Sequence, residues 1–351
     1  MTFSIVIPVY NALPFLRECL DSLLSQSFRD WRAICVDDGS VDGSGEVLDQ
    51  YATNDHRFLV FHQKNQGVSA SRNLALDQIK DGWTLFLDAD DAFVPWALED
   101  LESLIAREPN ADFYVFKPQL VTEMSQPLPV RDARGRIERL VISNPAAAQV
   151  AYARLYTGLL AWGACHRSAF LRDIRFTKYP NGEDSIFGYE CLTHAREIVL
   201  SEEVLYRYRK PREGSANTPT LRNLKSCCDN VVEWHRITRA WPYRDCLYKI
   251  TRRKWKFQLC VVVYPILLKL DRSGKRAGKK IFLDYLRQQI DLVPENFSCW
   301  TRLWARTSVL VHSLIPFHVF IYWPYRVRLA ALKIPGIRIA VQRLRQIGSN
   351  K

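Results

Sequence analysis

The sequence predicts an α/β fold, a mostly parallel sheet with helices on both faces, plus a mainly helical C-terminal region. Three observations predict it. Over the first hundred residues, compact β-branched runs alternate with segments whose apolar residues fall at helical spacing. The polar clusters come at the ends of the strand-like runs rather than their beginnings. From Pro219 onward the charge balance changes, with 26 Lys and Arg against 7 Asp and Glu.

Phe3 to Val9 is a β-branched run suited to a strand buried on both faces. Leu13, Leu16, Leu20, Leu23 and Leu24 then form one apolar helical stripe. Arg32 to Val36 is strand-like and stops at Asp37-Asp38-Gly39-Ser40, and Phe58 to Phe61 is a short third strand. Val68 to Ile79 reads as a helix, and Trp83 to Leu87 as a buried strand ending at Asp88-Ala89-Asp90-Asp91. A helix starts near Pro95, because proline suits the first helical turn. A further strand is expected over Phe113 to Phe116, a polar excursion over residues 118 to 136, and a helix from Ala146 to Leu160. Tyr179 to Gly182 is a turn opening onto Glu183-Asp184, with a helix from Ser185 to about Ala195. These patterns divide the chain into residues 1–218, as halves 1–110 and 111–218, and a basic helical region, 219–351.

Composition narrows the class. Hydrophobic residues at 48% and charged residues at 25% fit a folded chain. Nine cysteines without a C-x-x-C pair favour buried free thiols over disulfides or zinc. His62, His166 and His194 show no metal-ligand spacing and read as packing or surface residues. Met1-Thr2-Phe3-Ser4 lacks the basic start of a signal peptide, so a cytoplasmic setting is expected. Basic-aromatic mixtures also suit nucleic acid, but no nucleic-acid module is recognisable and none is expected as a partner.

In open α/β sheets ligands bind outside the carboxyl ends of the strands. Tyr10-Asn11, Asp37-Asp38 and Asp88-Ala89-Asp90-Asp91 should therefore converge on one crevice. Three carboxylates within four residues repel one another unless something compensates. A hard divalent cation would do so, and Mn²⁺ or Mg²⁺ bridging a diphosphate fits that chemistry. An extended segment would put Asp88 and Asp90 on the same side. Taken alone, the cluster is equally an acidic turn capping the next helix.

Four segments together change that balance: Ser4-Ile5-Val6-Ile7-Pro8-Val9-Tyr10-Asn11, Val36-Asp37-Asp38-Gly39-Ser40, Gly67-Val68-Ser69-Ala70-Ser71-Arg72-Asn73 and Leu87-Asp88-Ala89-Asp90-Asp91. In this order they resemble the family 2 glycosyltransferases, whose fold is the Rossmann-like GT-A architecture. The resemblance implies a nucleotide-sugar site at Pro8, Tyr10, Asp38, Gly67, Arg72, Asp88, Ala89 and Asp90. Tyr10 would stack on uracil, Asp38 would accept from its ring N–H, and Asp90 with Asp91 would hold the metal. The family often has a glutamate two residues after the Tyr-Asn pair, where this chain has Leu13.

The next part resembles the family's acceptor half. Asn181-Gly182-Glu183-Asp184-Ser185-Ile186-Phe187 matches its Gly-Glu-Asp-x-x-Phe segment, and Trp162 holds its usual tryptophan position. The resemblance implies Asp184 as the catalytic base, Glu183 as its supporting neighbour and Trp162 as an acceptor contact. Tyr206 to Arg209 and Ser215 match the following strand and loop, with Arg209 or Arg212 facing a diphosphate.

Leu259 to Leu270 and Val309 to Trp323 are apolar but interrupted by proline, and basic residues flank both. Such helices suit the surface of an anionic membrane; a small domain with a solvated basic face is the plainer reading. The expectation is an inverting transfer from a UDP-sugar to a lipid-linked glycan at the inner face of the cell membrane, during surface-polysaccharide assembly. Two rivals stand beside it. A nucleotidyltransferase would need a glycine-rich, arginine-bearing loop where Pro8-Val9-Tyr10-Asn11 stands. A catalytically inactive membrane scaffold would not need its carboxylates.

Overall fold

The computed structural model describes residues 1–131, 135–155, 161–177, 182–210 and 220–241, with residues 274, 277, 278, 280–282, 284 and 285. The chain divides into two compact units. One is Met1–Asn217 with Ile237–Leu247, and the other is Thr218–Arg236 with Tyr248–Lys351.

The first unit opens as β1 (Phe3–Val9), α1 (Leu13–Leu24), β2 (Trp31–Asp37), α2 (Ser44–Asn54), β3 (Phe58–His62), α3 (Val68–Asp77) and β4 (Trp83–Phe86). It continues through β5 (Ala92–Phe93), α4 (Ala97–Arg107), β6 (Phe113–Val121), β7 (Ile137–Val141), α5 (Pro145–Leu155), β8 (Ala164–Arg167), α6 (Glu183–His194) and β9 (Glu197–Arg209). The sheet runs β3-β2-β1-β4-β8-β6-β9-β5, with β7 also paired to β9. β1 to β4 pair in parallel, as do β6 and β9, while β8, β7 and β5 are antiparallel to their neighbours. The expected mostly parallel α/β sheet is what forms.

Strand alternation decides which helix covers which face. Phe3, Ile5, Ile7 and Val9 share a core with Leu16, Leu20 and Leu23 of α1 and Leu98, Leu101 and Leu104 of α4. On the other face Phe86 meets Phe187 of α6 and Phe176, with ring centroids 5.3 and 5.2 Å apart. Both faces being covered explains why these strands read as continuous apolar runs.

The elements depart from expectation in four places. β6 runs past Phe116 to Val121, so the first residues of the supposed polar excursion are strand. Its ladder to β9 shifts register around Lys117 and Pro118, where an irregularity accommodates the missing proline N–H. α2, β5, β7 and β8 carry no strong periodicity of their own and form through their neighbours. The helix expected from Ala146 forms as α5, Pro145–Leu155, and residues 156–160 lie outside the described residues. α6 begins at Glu183, two residues early, which puts Glu183 and Asp184 in its first turn.

α7 (Leu221–Ala240), most of which falls in the second unit, carries a Lys225–Asp229 ion pair at 2.6 Å. The stretches Leu259–Leu270 and Val309–Trp323 lie outside the described residues, and none of the described helices is long and apolar enough to cross a membrane.

Candidate active site

The ends of β1 and β2 are tied together. Asn11 adopts φ 49°, in the left-handed region that Asn tolerates better than most residues. Its amide donates to Ser40 Oγ at 3.0 Å, and its side-chain oxygen accepts from the Val41 amide at 2.9 Å. Gly39 has φ 76°, and a Cβ there would lie 3.1 Å from the Asn65 amide nitrogen, so this turn requires glycine. Tyr10 stands 54% exposed above the join, with Pro8 half-buried beside it.

Asp38 is buried and accepts three hydrogen bonds, from the Gln66 amide (2.8 Å), Gln63 Nε2 (2.7 Å) and the Gly67 amide (2.8 Å). Gly67, with φ 90°, thus enters the site by fixing Asp38 at the start of α3. A carboxylate has about four lone-pair positions, so Oδ2 of Asp38 keeps room for one donor from a ligand.

Asp88 to Asp91 form a tight turn, closed by the Asp91 amide donating to the Asp88 carbonyl at 3.0 Å. This corrects the extended reading, and the three carboxylates point in different directions. Asp88 Oδ1 accepts from Arg72 Nη2 at 2.8 Å. Asp90 is exposed at the tip, and Ala89 packs its side chain into the core, leaving only its backbone for a ligand. Asp91 is 1% exposed, with Oδ2 accepting from the Tyr206 hydroxyl and Oδ1 from the Arg209 amide, both at 2.8 Å. Burial, with the charges of Asp88 and Asp90, pushes Asp91 up to about 8. Asp91 therefore braces the turn from inside, and the metal-ligand role expected of it does not fit its position.

Arg72 is the hinge of the site. It is 3% exposed, neither a surface residue nor an open phosphate contact. Nη1 donates to Glu183 Oε1 at 2.7 Å while Nη2 holds Asp88, so one guanidinium joins the β4 turn to α6. Burial opposes its charge, but Asp88, Glu183 and Asp184 outweigh that and hold its pKa above the ordinary value. Phe176 lies under the guanidinium at 5.0 Å.

Glu183 is buried and Asp184 half-buried in the first turn of α6, after Gly182 at φ 77°. The cap position is Gly182, and Asp184 Oδ1 accepts from the Ser185 amide at 2.6 Å. Burial and then Glu183 push Asp184 up to about 6, partly offset by Arg72. A carboxyl poised there is a competent general base near neutral pH. Asn181 and Tyr179 of the same motif lie outside the described residues.

Trp162 is buried in an aromatic stack, 4.9 Å from the Tyr206 ring and 5.1 Å from Tyr208. Tyr206 also accepts from the Asp88 amide, so this stack supports the acidic turn. Sequence reasoning missed Tyr208 as a site residue. It is half-buried, and burial with the charges of Asp91, Asp88, Asp90 and Asp184 pushes its phenol up. The signal available was alternation, since Tyr206 and Tyr208 share one face of β9. Arg209, expected over a diphosphate, lies below the turn, with Nε on the Asp90 carbonyl at 3.0 Å and an ion pair to Glu18. Arg212 and Ser215 lie outside the described residues. Of the histidines, His166 is buried against Phe113 and Phe86, and its pKa is lowered to about 3 by burial.

Among the described residues no three His, Cys, Asp or Glu side chains gather as a metal cage. Mg²⁺-type ions need only one or two carboxylates when substrate phosphates and waters complete the shell. Asp90, with the second oxygen of Asp88, suits that arrangement.

Residues 4–142 match the model of "Glycosyl transferase family 2". A putative glycosyltransferase EpsH of Bacillus subtilis is 39% identical over 218 residues, covering 59% of this chain and 60% of that protein. A poly(ribitol-phosphate) beta-glucosyltransferase of Bacillus spizizenii is 29% identical over 222 residues, covering 61% and 33%. The structure of S. aureus TarS 1–349 in complex with UDP superposes with a TM-score of 0.67 at 19% identity, over 89% of each chain, which shows the fold. The chain spans 31% to 65% of the length of the first curated relatives it matches.

Proposed function

We propose that this chain, whose residues 4–142 match the model of glycosyl transferase family 2, moves a hexose or N-acetylhexosamine from a UDP-sugar to a glycan acceptor, with inversion. The observation that carries this is the Arg72 bridge. It places the acidic turn after β4 and the first turn of α6 around one crevice, as donor and acceptor chemistry require.

The uracil ring stacks on Tyr10, and its N–H takes the remaining position on Asp38. The acceptor hydroxyl attacks the anomeric carbon from the side opposite the nucleotide, and Asp184 removes its proton as the new bond forms. UDP departs with the electrons of the broken bond. Mn²⁺ or Mg²⁺, held by Asp90 with Asp88, supplies charge neutralisation for the diphosphate. Arg72 favours the ionised form of Asp184 and offsets the opposing charge of Glu183, which it holds by an ion pair. Trp162, tucked into its stack, acts on the acceptor side through Tyr208.

The acceptor is read as a lipid-linked glycan of surface-polysaccharide assembly. The relative named for poly(ribitol-phosphate) and the basic region from Pro219 support this, with the enzyme peripheral on the inner face of the cell membrane. The test is a donor panel: purified chain, Mn²⁺ or Mg²⁺, and separate nucleotide sugars, reading released nucleoside diphosphate. Slow release from one UDP-sugar, abolished by EDTA and by Asp184→Asn, is the expected result. A folded protein with neither turnover nor a UDP-dependent thermal shift would instead be the inactive scaffold.

A further inference from the structure

A second pocket lies at the other end of β4. It has a volume of about 270 Å³ and sits between the C-terminal end of α3 and the segment from Ser168 to Arg175. Thr84, near the start of β4, lines it, while Asp88 follows the far end of the same strand. At ~3.3 Å per residue the two are roughly 13 Å apart along the chain direction. The pocket is therefore distinct from the crevice.

Its charges are unbalanced. Arg175 is committed, with Nη2 on Asp77 at 3.0 Å and Nη1 on the Leu171, Arg172 and Ile174 carbonyls. Lys80 and Arg172 also line the space, and among the described residues neither side chain has an acidic partner. In the same lining Thr84 and Ser168 are buried, with their hydroxyl oxygens 2.9 Å apart. Two hydroxyls carry two protons, and their mutual bond uses one. One buried O–H donor is left beside two cations, while Leu76, Ile79 and Leu171 supply apolar wall.

The geometry points to this pocket as a binding site for a phosphomonoester. A tetrahedral dianion accepts from an ammonium, a guanidinium and a hydroxyl together. A carboxylate, with one charge, would leave one of the two cations unbalanced. The volume corresponds to roughly nine waters at ~30 Å³ each, enough for a phosphate and a small carbon framework along the apolar wall. The phosphate belongs to a soluble ester or to a lipid headgroup, since the chemistry is shared. Its position has a consequence for the crevice. α3 carries Arg72, and the segment ending in Phe176 is pinned to α3 through Asn73, by two bonds of 2.9 Å. A ligand joining Lys80, three residues past the end of α3, to Arg172 would tie the loop after α3 to that segment.

Calorimetric titration of the full chain in EDTA, without nucleotide, tests this with two probes. Glycerol 3-phosphate stands for the soluble ester, and dihexanoyl phosphatidic acid, kept below its micelle-forming concentration, for the headgroup. The monomeric lipid avoids vesicle binding by the basic region. Saturable binding by the wild type, weakened about tenfold or more in Lys80→Ala/Arg172→Ala, is expected. Both side chains are exposed, so the double variant should melt like the wild type; Ser168→Ala, weakening binding severalfold, gives an independent check. Binding of the lipid probe alone, lost in the double variant, assigns the site to a headgroup. Binding of neither probe, or equal binding by wild type and double variant, overturns the proposal.

Discussion

Single residues set the chemistry of the crevice, and the pair Arg72 and Asp184 makes it testable. Asp184 acts as a base only when ionised. With its carboxyl raised to about 6 by burial and Glu183, kcat/KM should fall about tenfold per unit as pH drops below that value. Arg72 lowers that same pKa. Arg72→Gln should therefore move the onset of activity to higher pH while costing about 3–5 kcal/mol of stability, because Glu183 and Asp88 lose their buried partner. An unshifted pH profile in that variant would separate Arg72 from the base. The sequence made these residues visible unevenly. Asp38, Asp88 and Asp90 could be named because they stand at strand ends where ligands bind and where clustered carboxylates need compensation, whereas Glu183 and Asp184 came from the resemblance to the family motif. Arg72 could be named only as a nucleotide-sugar contact, since its burial depends on α6 arriving from 111 residues later. Asp91 was misread because a cluster of carboxylates looks uniform in one dimension, whereas the turn sends one of them inward to Tyr206.

At the scale of elements, the ends of β2 and β3 are tied to α2 by a histidine that the sequence offered as a packing or surface residue. His62 Nδ1 lies 3.0 Å from Asp37 Oδ2, and Nε2 lies 3.0 Å from Asp49 Oδ1. Gly45 allows the approach, because a Cβ there would stand 3.1 Å from Asp37 Oδ2. The bonds to Asp37 and Asp49 raise the His62 pKa above its ordinary value. The folded state thus holds this proton more tightly than the unfolded chain. The contribution is complete below the unfolded pKa of ~6.5 and is lost as pH rises through the folded value. Because His62 is half-exposed, solvent screens the effect and only its direction is predicted. The melting-temperature gap between wild type and His62→Gln should shrink steadily from about pH 5.5 to 8.5; a constant gap would mean the clamp is not ionic. Elements with strong periodicity, such as β1 and α1, were legible alone. α2, β5, β7 and β8 were not, because their stability comes from partners that a linear pattern does not contain.

At the scale of the whole molecule, the asymmetry of charge organises the function. The crevice gathers carboxylates from β4 and α6 around one guanidinium, so it is built to attract cations. The region from Pro219, with 26 basic against 7 acidic residues, would be drawn to anions. On the proposed reading, anionic lipids would take the basic region and the acidic residues after β4 and in α6 would serve the metal-bound nucleotide. Attraction of this kind is screened, with a Debye length of ~10 Å at ~0.1 M salt and ~3 Å at ~1 M. The full chain should therefore co-sediment with phosphatidylglycerol vesicles at about 0.1 M salt, and not with phosphatidylcholine vesicles. Raising the salt to about 1 M should release most of it. Equal binding to neutral vesicles would replace electrostatics with apolar insertion. No binding to either would leave the basic region as the solvated face of a small domain, and the acceptor would then have to reach the crevice without a membrane to present it.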